Sequence, residues 1–369
     1  MPDHWQVVRH TEAALEPELP IIDPHHHLWG LSRAAREGRS LADPDLSGFE
    51  RQNLRVPRYL LEHFLADAEA GGHQVQASVF VQCHTMYRSD GPREYAPIGE
   101  TEFVNGIAAM SASGLYGPTR VAAGIVGYVD LTLGHAVREV LEAQIAAGNG
   151  RFRGIRMMTA WDADRSIVGR LGEVPAGILR ATGFREGFAE LAPLGLTFDA
   201  WLLEPQLPDV IDLAHAFPET QIVLDHCGTP LGIGAYAGRR EELFPRWARS
   251  MKEIGRLPNV TVKIGGLGIE CLGFGTESWR VGASSAQLAD LWRPYVETVI
   301  EAAGADRCMF ESNFPVDGGS CAYSTLWNAF KRITASVSSA EKDQLYRGTA
   351  ARVYRLGVDA GRDRDPSLR

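Results

Sequence analysis

Short apolar runs alternate along the chain with longer amphipathic stretches, and this alternation sets the expected architecture. The runs fall at Pro20–His25, Gln76–Gln82, Arg120–Val126, Phe152–Met157, Leu196–Ala200, Gln221–Asp225, Val260–Ile264 and Cys308–Glu311. Each is short and rich in β-branched or apolar side chains, as strands of a buried sheet are. Between most of them the apolar period lengthens to that of a helix, as over 58–69, 102–110 and 136–145. Strands that alternate with helices pair in parallel, and eight such units predict closure into an α/β fold of the (β/α)8 TIM-barrel type, distorted by insertions. An open doubly wound sheet is the competing arrangement, but no GxGxxG follows the first run. The expectation is one domain over residues 1–369 with its core at about 20–355.

Two long connections interrupt the period: 28–57 after the first strand, and the Gly-rich 265–285 after the seventh, which carries Trp279 and Arg280. Both follow a strand, so both are expected over the C-terminal mouth of the barrel, where such folds carry their chemistry. After Tyr354 the remaining tail, including Asp359 to Pro366, is short and charged and is expected to fray.

Composition narrows the class. The chain has 369 residues, 45% of them hydrophobic, and 46 acidic against 37 basic side chains give a formal net charge of −9. Such a balance argues against a nucleic-acid or anionic-membrane partner and for a small-molecule substrate. The five cysteines are widely spaced with no CxxC pair, as expected of reduced thiols. The N-terminus lacks the basic-then-apolar pattern of a leader, and no apolar run approaches ~18 residues, so a cytoplasmic protein is the expectation. A homodimer is the default assembly.

The strand ends carry the candidate chemistry. Ile21-Ile22-Asp23-Pro24-His25-His26-His27 ends the first strand, and alternation puts His25 and His27 on one face with Asp23 below them, while His26 faces away. Two imidazoles so placed suit a metal or a polarised carbonyl. Gln82 and His84 share a face at the end of strand two; Arg156 ends strand four, where a guanidinium suits a substrate carboxylate. Of Asp225 and His226 at the end of strand six, alternation admits only one to the mouth, and His226 is favoured. Lys263 lies inside strand seven and needs an acidic partner or a substrate anion, the buried ion pair being the favoured reading. Glu311 and Asn313 share a face at strand eight, with Asp317 in the loop beyond; Trp29 and other aromatic residues suit the wall of a site for a flat or ringed molecule.

The motifs Asp23-Pro-His-His-His-Leu-Trp29, Gly154-Ile-Arg156, Leu224-Asp-His-Cys-Gly228, Val262-Lys263 with its Gly-rich turn, and Phe310-Glu-Ser-Asn-Phe-Pro-Val316 together resemble the amidohydrolase superfamily, in the branch of the sugar-acid and pyrone-dicarboxylate lactonases. The resemblance implies a hydrolase acting on a lactone or related carboxylic derivative. It also implies that His25, His27 and His226 hold one Zn2+ or another divalent ion or, as in metal-free members, hydrogen-bond the carbonyl directly. Arg156 is then the carboxylate anchor, with Gln82, His84, Trp29 and Lys263 around the substrate. Two departures alter the picture. The strand-eight Gly-Ser-Asp-Trp-Pro pattern is here Glu311-Ser-Asn-Phe-Pro315, and an amide accepts no proton at useful pH, so Asn313 is left to donate a hydrogen bond or orient water. Strand five offers Asp199 but no histidine, which argues against a binuclear centre. Glu311, with burial expected to raise its pKa, ranks first as base, ahead of Asp317 and His84. A metal-dependent decarboxylase of the same superfamily and a non-catalytic small-acid-binding barrel are the alternatives.

Overall fold

Eight parallel strands form one sheet in strictly sequential order: β1 Pro20–His26, β2 Gln74–Val81, β3 Arg120–Gly127, β4 Phe152–Ile155, β5 Thr197–Ala200, β6 Ile222–Leu224, β7 Val260–Ile264 and β8 Cys308–Phe310. The structure is a computed structural model that describes residues 11–31, 43, 46, 48–169, 174–278 and 282–357. A principal helix follows each strand: α1 Leu61–Glu69, α2 Ile98–Ala112, α3 Val137–Ala147, α4 Thr182–Phe188, α5 Leu207–Ala216, α6 Arg240–Ile254, α7 Ser285–Ala303 and α8 Tyr323–Ile333. The expected (β/α)8 barrel is therefore the observed architecture. Helix α1 shows how the period works: Leu61, Phe64, Leu65 and Ala68 are buried along one stripe, and the polar positions between them face outward.

The ring of strands closes where β1 meets the segment after β8. His26 bridges Phe314 in parallel, the Asn313 amide donates to His25 O at 2.9 Å, and the His27 amide donates to Phe314 O at 2.8 Å. Asp23 latches the same seam, accepting from the Ser312 amide at 3.0 Å, from Ser312 Oγ at 2.6 Å and from Tyr323 at 3.1 Å. The pairing of β1 with β2 shifts register between Asp23 and His26, so the strict alternation expected of Asp23, His25 and His27 is interrupted and Asp23 serves the seam. His26 does face away from the site, its ring 4.3 Å from that of Phe64 on α1.

Inside the barrel, Ile22, Ala77, Val79, Val81, Val126, Val223 and Met309 pack against Ala350, Val353, Tyr354 and Leu356 from the C-terminal segment. Tyr354 donates its hydroxyl to Asp199 Oδ2 at 2.6 Å, which joins that segment to the buried charges of β5. The chain to residue 357 is thus an integral plug, while the tail beyond it, like Trp279 and Arg280, lies outside the described residues. In the first insertion, Trp29–Gly30 and Arg58–Tyr59 form a small antiparallel ribbon. All five cysteines are buried thiols.

Tyr354→Phe removes a hydrogen bond to a buried carboxylate and is expected to cost about 1.5–3 kcal/mol, read as a lower urea midpoint at unchanged slope.

Candidate active site

Both oxygens of Glu311 meet imidazole nitrogens. Oε1 lies 2.6 Å from His226 Nδ1 and Oε2 lies 2.6 Å from His25 Nδ1, with all three side chains at most 3% exposed. The His25 and His226 rings stand 4.7 Å apart and those of His25 and His27 5.0 Å apart, edge to face. Two glycines just beyond β7 make this possible. A Cβ on Gly265 would come within 2.3 Å of Glu311 Cγ, and one on Gly266 within 2.3 Å of His226 Nδ1.

The end of β6 departs from simple alternation. The strand stops at Leu224, and His226 and Cys227 both take left-handed backbone conformations, with φ of 55° and 53°. Asp225 and His226 therefore both reach the centre, which corrects the expectation that only one would. One donor atom from each of His25, Asp225 and His226 lies within 4.8 Å of the others. Strained non-glycine turns of this kind persist where the surroundings hold them. Here the His226 amide also donates to Glu311 Oε1, at 3.2 Å.

Three cations are woven into the cluster. Lys263 Nζ donates to Asp199 Oδ2 at 2.7 Å and lies 3.2 Å from Asp225 Oδ1 and 3.3 Å from His25 Nδ1. Arg156 donates to the Gln82 carbonyl and, at 3.2 Å, to His25 Nε2, and stands 3.6 Å from Asp225. The third is His226. Burial alone would discharge it, but Glu311 and then Asp225 and Asp317 hold its pKa above the ordinary 6.5. Burial and Lys263 together keep His25 well below that value, and burial and Arg156 do the same for His27.

Glu311 reverses its expected shift. Burial would raise it, yet His226 and His25 hold the carboxyl far below the ordinary carboxylate range. So strong an acid is a poor proton acceptor; its role in this geometry is to orient two imidazoles and favour the charged form of one. Lys263 likewise overcomes the burial of Asp225 and keeps that carboxyl ionised. Asp199 is pushed up to about 6 by burial against the pull of Lys263.

The other expected residues occupy distinct places. His27 Nδ1 donates to Val81 O at 2.7 Å and its Nε2 lies 3.3 Å from Asn313 Oδ1. Asn313 Nδ2 faces Asp317 Oδ1 at 2.8 Å, and burial pushes Asp317 up to about 7. A neutral His27 carrying its proton on Nδ1 has none on Nε2, so the reversed Asn313 amide, donating to His27 and accepting from a protonated Asp317, completes the same chain of bonds. Trp29 is buried, its indole N–H donating to Val56 O at 2.6 Å. The Gln82 side-chain amide is buried, and neither its Nε2 nor its Oε1 has a hydrogen-bond partner among the described residues. His84 is exposed on the loop after β2 and lines a separate cavity of about 610 Å3 with Tyr87, Arg93, Tyr128, Asp130 and Leu133. Sequence reasoning missed Glu100, Arg93 and Tyr128. No local signal marks them: Glu100 is a single acid in the first turn of α2, and its burial is visible only in the fold.

Two imidazoles and a carboxylate are suitable zinc donors in kind. In this arrangement, however, both nitrogens of His25 are engaged, by Glu311 and Arg156, His226 Nδ1 is engaged by Glu311, and a buried ammonium and guanidinium stand against Asp225. A divalent ion at these donors has to displace Arg156 or Lys263, so the site as built does not fit one.

The amidohydrolase family profile matches residues 22–356. An uncharacterized protein of Sinorhizobium fredii, y4mH, is 34% identical over 92% of this chain and 99% of its own. An L-fucono-1,5-lactonase of Burkholderia multivorans is 30% identical over 64% of this chain and 72% of its own length. Among solved structures, an amidohydrolase from Burkholderia multivorans crystallised with bound Zn superposes with a TM-score of 0.65 at 27% identity, covering 91% of this chain and 99% of that one.

Elemental analysis of protein purified without chelators is expected to find zinc, manganese and iron each far below one equivalent per chain; a stoichiometric ion would overturn the assignment of Arg156 and Lys263 to these donors.

Proposed function

The chain belongs to the amidohydrolase family, and from that premise we propose that it is a hydrolase that opens the ring of a small lactone, with His226 as general base. The observation that carries this is the Glu311 carboxylate against His226 Nδ1 at 2.6 Å. With Nδ1 committed to Glu311, the imidazole works through Nε2, which makes no hydrogen bond among the described residues. Neutral His226 takes a proton from water at Nε2 while Glu311 stabilises the imidazolium that forms. The hydroxide equivalent adds to the lactone carbonyl. As the ring C–O bond breaks, the same imidazolium returns its proton to the leaving alkoxide, and the product is the open hydroxy acid. Arg156 and Lys263 supply positive potential where negative charge develops, in a site from which bulk water is largely excluded. No step is routed through a metal.

The lactonase relative supports this reaction class. The cavity lined by His84 supports a ringed, polar substrate, with the Tyr87 and Tyr128 rings available to pack against a ring face and Arg93 and Asp130 available to polar substituents. No helix among the described residues is long and apolar enough to cross a membrane.

The reading is tested on a panel of sugar-acid lactones, L-fucono-1,5-lactone included, with products identified by mass. A gain of one water is expected; release of CO2 would replace this reading by the decarboxylase. The base is neutral only above its folded pKa, which Glu311 holds above 6.5. Activity is therefore expected to fall as pH drops through a limb lying above that value. His226→Asn should lower kcat/KM by about 10²–10⁴-fold. Glu311→Gln removes the anion that raises His226, so the limb should move to lower pH; a limb that disappears would restore Glu311 as the base.

A further inference from the structure

The loop after β2 rests on the start of α2 through an acid that takes no part in the mechanism above. Glu100, 1% exposed, accepts two backbone amides on one oxygen: Cys83 at 3.0 Å and Thr85 at 2.9 Å. The residue between them is His84, held in the left-handed region at φ 58°, and Met86 two positions on is held there too, at φ 52°. Neither conformation is favourable for a side chain with a Cβ, so each needs the surroundings to impose it. The contact with α2 is close. The Arg88 amide donates to Ala96 O at 2.9 Å, and a Cβ on Gly99 would sit 2.4 Å from Met86 O and 2.8 Å from the Arg88 nitrogen.

This clamped loop presents His84 and Tyr87 to the cavity of about 610 Å3. The Tyr87 hydroxyl and His84 Nδ1 are 2.9 Å apart, and the His84 ring lies 5.4 Å from that of Tyr128 on the loop after β3. The protein mass around the ring and then Arg156 disfavour the charged form of His84, which lowers its pKa. Burial also pushes Glu100 up to about 7, against the pull of the two amides. Its role needs only an acceptor oxygen.

We propose that Glu100 is a positioning residue, which by gripping the amides on either side of His84 fixes His84 and Tyr87 as one wall of the subsite for the hydroxylated ring of the substrate. The proposal rests on the lactonase reading for the substrate, while the clamp itself is testable without it.

The experiment compares the full-length parent with Glu100→Ala, Glu100→Gln and Gly99→Ala. On the sugar-acid lactone that the parent turns over best, Glu100→Ala is expected to raise KM by about tenfold and leave kcat within about threefold, because ring binding is lost and the His226 chemistry is not. Glu100→Gln keeps the acceptor oxygen and should restore the parent KM. Hydrogen–deuterium exchange of the 82–88 segment should be faster in Glu100→Ala by about tenfold and at the parent rate in Glu100→Gln. Should Glu100→Ala fail to fold, Gly99→Ala, which pushes the loop from below through Met86 O, is expected to give the same KM rise with kcat retained. An unchanged KM in either loop variant, an equal fall of kcat, or a Gln variant as impaired as the Ala variant overturns the proposal. If the parent opens no lactone, the hydrolase reading has failed separately, and unchanged exchange in Glu100→Ala still overturns the clamp.

Discussion

One carboxylate between two imidazoles organises this molecule. Glu311 sits at the end of β8, His25 at the end of β1 and His226 just past β6, and the two 2.6 Å contacts draw three separate strand ends to a single point. An ion pair so deeply buried is weak evidence for stability, because desolvation opposes the attraction, but removing one partner leaves an uncompensated charge and costs much more. The neighbourhood is built around that constraint. Glycines stand at 265 and 266 because nothing larger leaves room for Glu311 and His226, and His226 accepts a left-handed backbone to reach its partner.

The same compensation runs deeper into the barrel. Lys263 is fully buried, and Asp199 and Asp225 keep it charged against the desolvation that would discharge it. Asp199 in turn is bonded by Tyr354 from the C-terminal segment. Structural demands and the proposed chemistry therefore share one set of side chains: the network that lets the core hold charge also places Lys263 and Arg156 against the histidines and, through Asp225, helps to raise the pKa of His226. The seam obeys the same logic, since the backbone bonds that close the barrel are those of His25, His27, Asn313 and Phe314.

Legibility from sequence follows the range of the interaction. His25 and His27 at a strand end, the buried partner required by Lys263, and the placing of Glu311 beside the histidines follow from period and desolvation, which act over a few residues. The direction of the Glu311 shift was not legible, because it depends on where His25 and His226 lie, and these are 286 and 85 positions away in the chain. The joint arrival of Asp225 and His226 was hidden too: alternation presumes an extended backbone, and the left-handed pair at 226 and 227 breaks that premise. Glu100 escaped notice because a single acid on a helix reads as surface until the loop it grips is in view.

Hydrophobic period and strand count, set by local side-chain chemistry, determined by themselves the barrel, its parallel order and the strand ends on which the chemistry sits. Tertiary structure alone decided the charge state of each group. A carboxyl or imidazole takes its pKa from the balance between lost hydration and the particular charges folded against it, and that balance exists only once the strand ends have met.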